Sequence, residues 1–180
     1  MGFRIEPGEP GSGVVYSSEV GVNKIHRKYQ NEVERTIPKA LQQGIKGWEV
    51  TDIKITLSAG EDHEIHSRPG DFILATPMGI MDGLMNAGTK LLEPVYRFHI
   101  IAPEESLGSI AGDINAMRGV IESPEFEDEM VKISGLVPVA TSHNYGIRLS
   151  SITKGKGIIR FEFSGYQECA EGEGKERPYK

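Results

Sequence analysis

The sequence predicts an α+β chain of two domains, and three observations carry that prediction. Beyond residue 94 the apolar periods run strand, helix, strand, strand, helix, strand, the order of a ferredoxin-like β-α-β-β-α-β domain. Before it, strand and helix periods alternate around a polar stretch, residues 59–72 (AGEDHEIHSRPGDF), with too few apolar residues to fold inward. Between the halves, Leu91-Leu92-Glu93-Pro94 interrupts the periodicity and marks a boundary. A chain of 180 residues can bury one large core or two modest ones. The predicted division is 1–93, 94–168 and a tail over 169–180.

In the first domain, residues 1–13 carry Pro7-Gly8, Pro10-Gly11 and Gly13 and read as a loop after a short edge segment. Residues 14–20 read as a strand. Tyr29, Val33, Ile37 and Leu41 recur every fourth residue, which predicts an amphipathic helix ending near Gly44. Pro38 inside it predicts a kink or a late start. A period-2 strand over 50–58 puts Ile53, Ile55 and Leu57 on one face and Lys54 and Thr56 on the other. It runs into the polar tip, which carries His63 and His66 and must project into solvent or into a partner. A second helix is expected over 70–86, with Phe72, Leu74, Met78, Met81, Leu84 and Met85 as its apolar stripe. The methionines read there as core filler, although Pro77 and two glycines weaken the helix.

In the second domain Tyr96, Phe98 and Ile100 alternate with Arg97 and His99 as a strand. A helix over 104–117, a strand over 119–123, an acidic hairpin loop over 122–129 and a strand through Val131 and Ile133 follow. A short helix over 141–150 and a strand through Ile159, Phe161 and Phe163 complete the pattern. Tyr96 and Phe98 are expected to pack against the two helices, since the aromatic signature of a base-stacking RNA-recognition sheet is absent. From Glu168 onward Glu, Lys and Gly dominate, which predicts a disordered tail or a truncation point.

Composition excludes several functions. No apolar run approaches the roughly 20 residues that span a bilayer, and no signal peptide opens the chain. Cys169 is the single cysteine, so no intramolecular disulfide can form and a reducing, cytoplasmic setting is expected. The net charge of −6 divides evenly, with 10 Lys/Arg against 13 Asp/Glu in residues 1–93 and the same in 94–180. That argues against gripping DNA or RNA by bulk electrostatics, and leaves room for local basic contacts.

Several ordered motifs resemble one family. Gly47-Trp48-Glu49-Val50-Thr51-Asp52, Pro69-Gly70-Asp71-Phe72 and Leu91-Leu92-Glu93-Pro94 resemble the tetracycline ribosomal-protection proteins, paralogues of elongation factor G. Ala102-Pro103-Glu104-Glu105, Gly108 to Gly112-Asp113, Met117-Arg118-Gly119, and Tyr145 through Thr153-Lys154-Gly155-Lys156 to Glu162-Phe163 resemble the last domain of both groups. The resemblance implies that residues 1–93 form the fourth domain of such a factor, a β/α fold with a left-handed βαβ crossover. Residues 94–168 would form the ferredoxin-like fifth.

In that family the fourth domain's tip reaches the decoding centre and the fifth contacts the large subunit near the sarcin-ricin loop. The implied partner is therefore the ribosome, its RNA and the proteins of both subunits, with no membrane and no DNA, and a monomer is expected. GTP and Mg belong to a G domain outside this chain, so no cofactor and no enzymatic activity are expected of it. The implied tip contacts are Asp62, His63, Glu64, Ile65, His66, Ser67 and Arg68, with Asn23, Lys24 and His26 from a second loop at 21–26. Arg118, Lys154 and Lys156 would face the ribosome from the fifth domain. The protection proteins usually carry a Ser-Pro-Val-type tip. The stretch here is closer to that of elongation factor G, whose tip histidine falls on His63.

Other readings are weaker. His63 and His66 have the spacing of two metal ligands, but they lie in a loop, depart from H-E-x-x-H and lack an indicated third ligand, so no metal is expected. The stretch from Gly83 to Lys90 resembles a phosphate loop, yet it follows a helical run and reads as a helix end capped by Gly88. Ser142-His143 has no acid partner nearby. A ligand-sensing ferredoxin-like module has no ligand-specific residue to support it.

Overall fold

The computed structural model describes residues 1–172 and 174–178, and it divides the chain into two compact units. The first comprises Met1–Leu91 together with the segment that begins at Lys175; the second is Leu92–Gly174.

In the first unit β1 (Gly2–Pro7), β2 (Val14–Ser18) and β3 (Ile53–Ala59) form a sheet in the order β1-β3-β2. The segment read as an edge before a loop is thus a full strand, antiparallel to β3 from Phe3 opposite Leu57 to Pro7 opposite Ile53. β2 pairs parallel with β3, so α1 (Arg27–Ala40) is the crossover of a βαβ unit. Pro38 falls in the last turn of α1, which starts at Arg27 and is not delayed. There the ring removes the N–H that would bond the Glu34 carbonyl, and the helix closes two residues later at Ala40. Tyr29, Val33, Ile37 and Leu41 bury the predicted face against Ile53, Ile55 and Leu57.

α2 (Asp71–Ala87) corrects one expectation. It buries Phe72, Thr76, Ile80 and Leu84, whereas Leu74 and Met78 are each 73% exposed and Met85 is 67% exposed. The two glycines explain the difference in phase. A Cβ on Gly79 would sit 2.9 Å from the Phe3 ring, and one on Gly83 would sit 2.5 Å from Ile5 Cδ1. Those glycines let α2 approach β1 closely, so part of the contact face is marked by missing side chains, and Met78 and Met85 point outward.

The second unit has the strand order β5-β7-β4-β8, with β6 on β7. Its elements are β4 (Leu92–Pro103), α3 (Leu107–Ala116), β5 (Val120–Ile121), β6 (Glu125–Glu127), β7 (Met130–Pro138), α4 (Val139–Ser142), α5 (Tyr145–Ile152) and β8 (Ile158–Glu168). All its pairings are antiparallel, and with β6 and α4 set aside the βαββαβ order is the ferredoxin-like one. Phe98, Ile100 and Ala102 pack with Val131, Ile133, Ile110, Ile114 and Leu149, and Tyr96 and Phe161 join them. Leu92, Glu93 and Pro94 belong to β4 and pair with β8, so the first unit ends at Leu91.

The expected tail, read as disordered or as a truncation point, includes a segment with defined contacts. Residues 175–178 are hydrogen-bonded to the loop that follows α1. Backbone groups, the Trp48 indole, the Gln43 amide and the Lys46–Glu176 pair hold them, and none of these leaves a periodic apolar signal. Residues 173, 179 and 180 lie outside the described residues.

Candidate nucleic-acid interface

The tip is two loops held together. Residues 21–26 lead into α1 and residues 60–70 lead from β3 to α2, so both are anchored in the first unit's core. The Asp62 amide donates to the Lys24 carbonyl at 2.8 Å. In return the His26 amide donates to Asp62 Oδ2 at 2.6 Å, and His26 Nδ1 lies 2.9 Å from both carboxylate oxygens. Only 5% of the Asp62 side chain is exposed, against 57% for His26. The amide hydrogen bond from His26, helped by its imidazole, holds the Asp62 carboxyl below the usual carboxylate range, against burial acting the other way. The carboxylate also stands at the N-terminus of α1, where the helix end favours an anion.

Residues 63–67 then close a turn of their own. The Ser67 amide donates to the His63 carbonyl at 2.8 Å, while the His63 amide donates to Ser67 Oγ at 2.9 Å. The Tyr29 hydroxyl, rising from the core, donates to the Ser67 carbonyl at 3.1 Å. The Ile65 amide donates to His63 Nδ1 at 3.3 Å, so the neutral His63 ring carries its proton on Nε2. The His63 and His66 rings lie 4.7 Å apart, tilted by 34°. His63, Glu64, Ile65 and His66 are exposed, Ile65 at 78%. At the far side the Arg68 amide donates to Asp71 and the Gly70 amide to Glu32, leaving the Arg68 side chain in solvent. Asn23 and Lys24 are exposed as well.

The predicted tip residues therefore separate into two kinds. Asp62 and Ser67 turn inward and fix the loops; His26, His63, Glu64, Ile65, His66, Arg68, Asn23 and Lys24 present donors, acceptors and one apolar side chain outward. Imidazole and amide donors on a rigid turn suit phosphate, 2′-hydroxyl and base edges of folded RNA. Among the described residues no group of three or more His, Cys, Asp or Glu side chains is arranged to hold a metal ion.

In the second unit Arg118 is committed internally. Its guanidinium forms a two-pronged pair with Glu93 at 2.7 and 2.9 Å, and Gln167 donates to the same carboxylate at 3.1 Å. Arg118 adopts the left-handed backbone region (φ 63°). The guanidinium holds the Glu93 carboxyl below its usual range. Lys154 and Lys156 are exposed on a turn where the Gly155 amide closes α5 on the Ser150 carbonyl at 2.7 Å. Neither the His26–Asp62 clasp nor the role of Glu93 as a partner was visible in residue spacing. The only hint of the clasp was one acid and one histidine, each on a different predicted loop.

Residues 1–88 match the family model described as elongation factor G, domain IV, and residues 90–177 match that of the elongation factor G C-terminus. The chain belongs to the elongation factor G family. It is 38% identical over 170 residues to the tetracycline resistance protein TetP of Clostridium perfringens, covering 94% of this chain and 26% of that protein. It is also similar to a Thermus thermophilus protein of known crystal structure, with 30% identity and a TM-score of 0.83 over 94% of this chain and 25% of the other. The chain thus spans about a quarter of the length of these relatives. No helix among the described residues is long and apolar enough to cross a membrane.

Proposed function

We propose that this chain is the ribosome-binding arm of a translational GTPase of the tetracycline-protection type. The 62–68 turn enters the decoding region and dislodges the drug, with GTP and Mg held by a G domain outside this chain. On this reading the arm has no catalytic activity of its own. Its partners are ribosomal RNA and proteins of both subunits, and it works in the cytoplasm as a monomer. The observation that carries the reading is the exposed turn 63–66 on a clasped two-loop base, together with 38% identity to a tetracycline resistance protein over nearly the whole chain.

The test replaces residues 63–66 with glycine in the full-length protein that carries this arm. Tetracycline tolerance is expected to be lost while the arm keeps its fold, because those side chains are exposed. Cells that stay as sensitive with the unaltered protein as without it would remove the protection reading.

A second reading is favoured by His63, which the resemblance matches to the tip histidine of elongation factor G. On it the protein drives translocation, and restoration of peptide synthesis in a factor-depleted translation system would select it.

A further inference from the structure

β2 ends its sheet, and among the described residues no strand pairs with its outer side. In its parallel pairing with β3, the Ile53 amide donates to the Gly13 carbonyl and the Glu19 amide to the Leu57 carbonyl, each at 2.9 Å. Backbone groups alternate sides along a strand, so residues 13, 15, 17 and 19 face β3. The N–H and C=O groups of Val14, Tyr16 and Ser18 therefore point to the free edge. Edge strands are commonly guarded by a charge or a proline, and Val-Val-Tyr-Ser-Ser has neither.

Helix α1 overhangs that edge. Arg27, Gln30, Asn31 and Glu34 share one helix face, and with Tyr16 and Ser18 they line a groove of about 380 Å³. Gln30 is 5% exposed, and its Nε2 donates to the Val20 carbonyl at 3.0 Å and the Ile25 carbonyl at 2.9 Å, leaving Oε1 for the groove. The Tyr16 hydroxyl is buried without a hydrogen bond of ordinary length. Burial first, and then the Glu34 carboxylate, push its pKa above the usual value, which places Glu34 at the Tyr16 end. Arg27, the first residue of α1, stands at the other end, about 10 Å away along the helix axis.

We propose that β2 takes a fourth strand from a partner protein, an extended segment that pairs with Tyr16 and Ser18 and seats a lysine or arginine beside Glu34. An added strand satisfies the open backbone groups, and its alternate side chains point into the groove beneath α1. A carboxylate, the Gln30 amide oxygen and the Tyr16 phenol oxygen all accept there, and an ammonium or guanidinium donates several hydrogen bonds at once. Glu34 opposes a nucleic-acid occupant, because its carboxylate repels phosphate. The edge and its groove lie outside the 63–66 turn, so strand addition stands whether or not the arm binds ribosomes.

The probe is the end-blocked peptide Thr-Val-Thr-Lys-Thr-Val-Thr, which carries one lysine between two valines on the same face. It is compared with its glutamate counterpart and with a single-stranded oligouridylate, and amide hydrogen exchange is read residue by residue by NMR. The lysine peptide is expected to slow exchange at the Tyr16 and Ser18 amides and to leave Val15 and Ser17, already bonded to β3, unchanged. It should bind about tenfold tighter than the glutamate peptide, and Glu34→Lys, at an exposed helix position, should reverse that order. Unchanged exchange at Tyr16 and Ser18 with the lysine peptide present, an order that Glu34→Lys leaves as it was, or slowing by the oligouridylate alone would overturn the site. Slowing that grows with protein concentration and needs no peptide would overturn it too, because the strand would then come from a second copy.

Discussion

A carboxylate at the outermost loop, with 5% of its side chain exposed, needs donors, and Asp62 finds them on His26. Its folded pKa is depressed below the ordinary value of 3.8. The clasp's contribution is therefore fully present above that value and is lost only as pH falls through the lower folded one. Across neutral pH the tip stays closed. Asp62→Ala is expected to strip hydrogen-exchange protection from the His26 amide, while Asp62→Asn, which keeps one acceptor oxygen, gives an intermediate rate. An unchanged rate in Asp62→Ala would mean that the two loops are joined some other way.

Arg118 poses a second question at the same scale, because its left-handed backbone and its ion pair work against each other. Arg118→Ala removes the guanidinium from a carboxylate whose side chain is 10% exposed, which is expected to cost roughly 2 kcal/mol. Arg118→Gly loses the same pair but relieves the backbone, so it should unfold at a denaturant concentration between the parent and the alanine variant. Equal midpoints for all three would show that the pair contributes nothing.

At the level of elements, side-chain periodicity revealed what side chains could mark and missed what gaps and single polar atoms decide. The α1 face and the inward residues of β3 follow from spacing because a large apolar residue stands at each contact. α2 was misphased because its approach to β1 runs through Gly79 and Gly83, which carry no apolar signal. β1 was hidden by Pro7 at its end and by the Pro10-Gly11 pair just beyond it. The 175–178 segment is hidden because main-chain groups and single polar side chains hold it, with no apolar period. The exposed turn 63–66 was legible from its lack of apolar residues, whereas the clasp beneath it was not. The corrected phase of α2 has a direct consequence. Ile80→Ala is expected to destabilise the first unit by roughly 2–5 kcal/mol, and Met78→Gln to change it by no more than about 0.5 kcal/mol. Chemical denaturation of the two variants checks this, and a Met78→Gln cost as large as that of Ile80→Ala would restore the methionine stripe to the core.

For the whole molecule, the constraint is a net charge of −6 on an arm proposed to bind RNA. Neutralising phosphates releases counterions and makes affinity fall steeply with salt, each contact adding about −0.9 to the slope of log K against log salt. The exposed cations at the proposed contact places are few: Lys24 and Arg68 at the tip, and Lys154 and Lys156 on the turn after α5. Even if all of them met phosphate, the slope for ribosome association would be no steeper than about −4. Affinity then has to come from shape and hydrogen bonding, which salt hardly weakens. The clasped loops and the closed 63–67 turn supply that by fixing donors before contact is made. Ribosome association of the chain measured between low and physiological salt should therefore decline gently, and alanine at both Lys154 and Lys156 should flatten the slope by about 2. A much steeper decline would mean that other basic residues carry the contact, and the tip would then be a minor part of it.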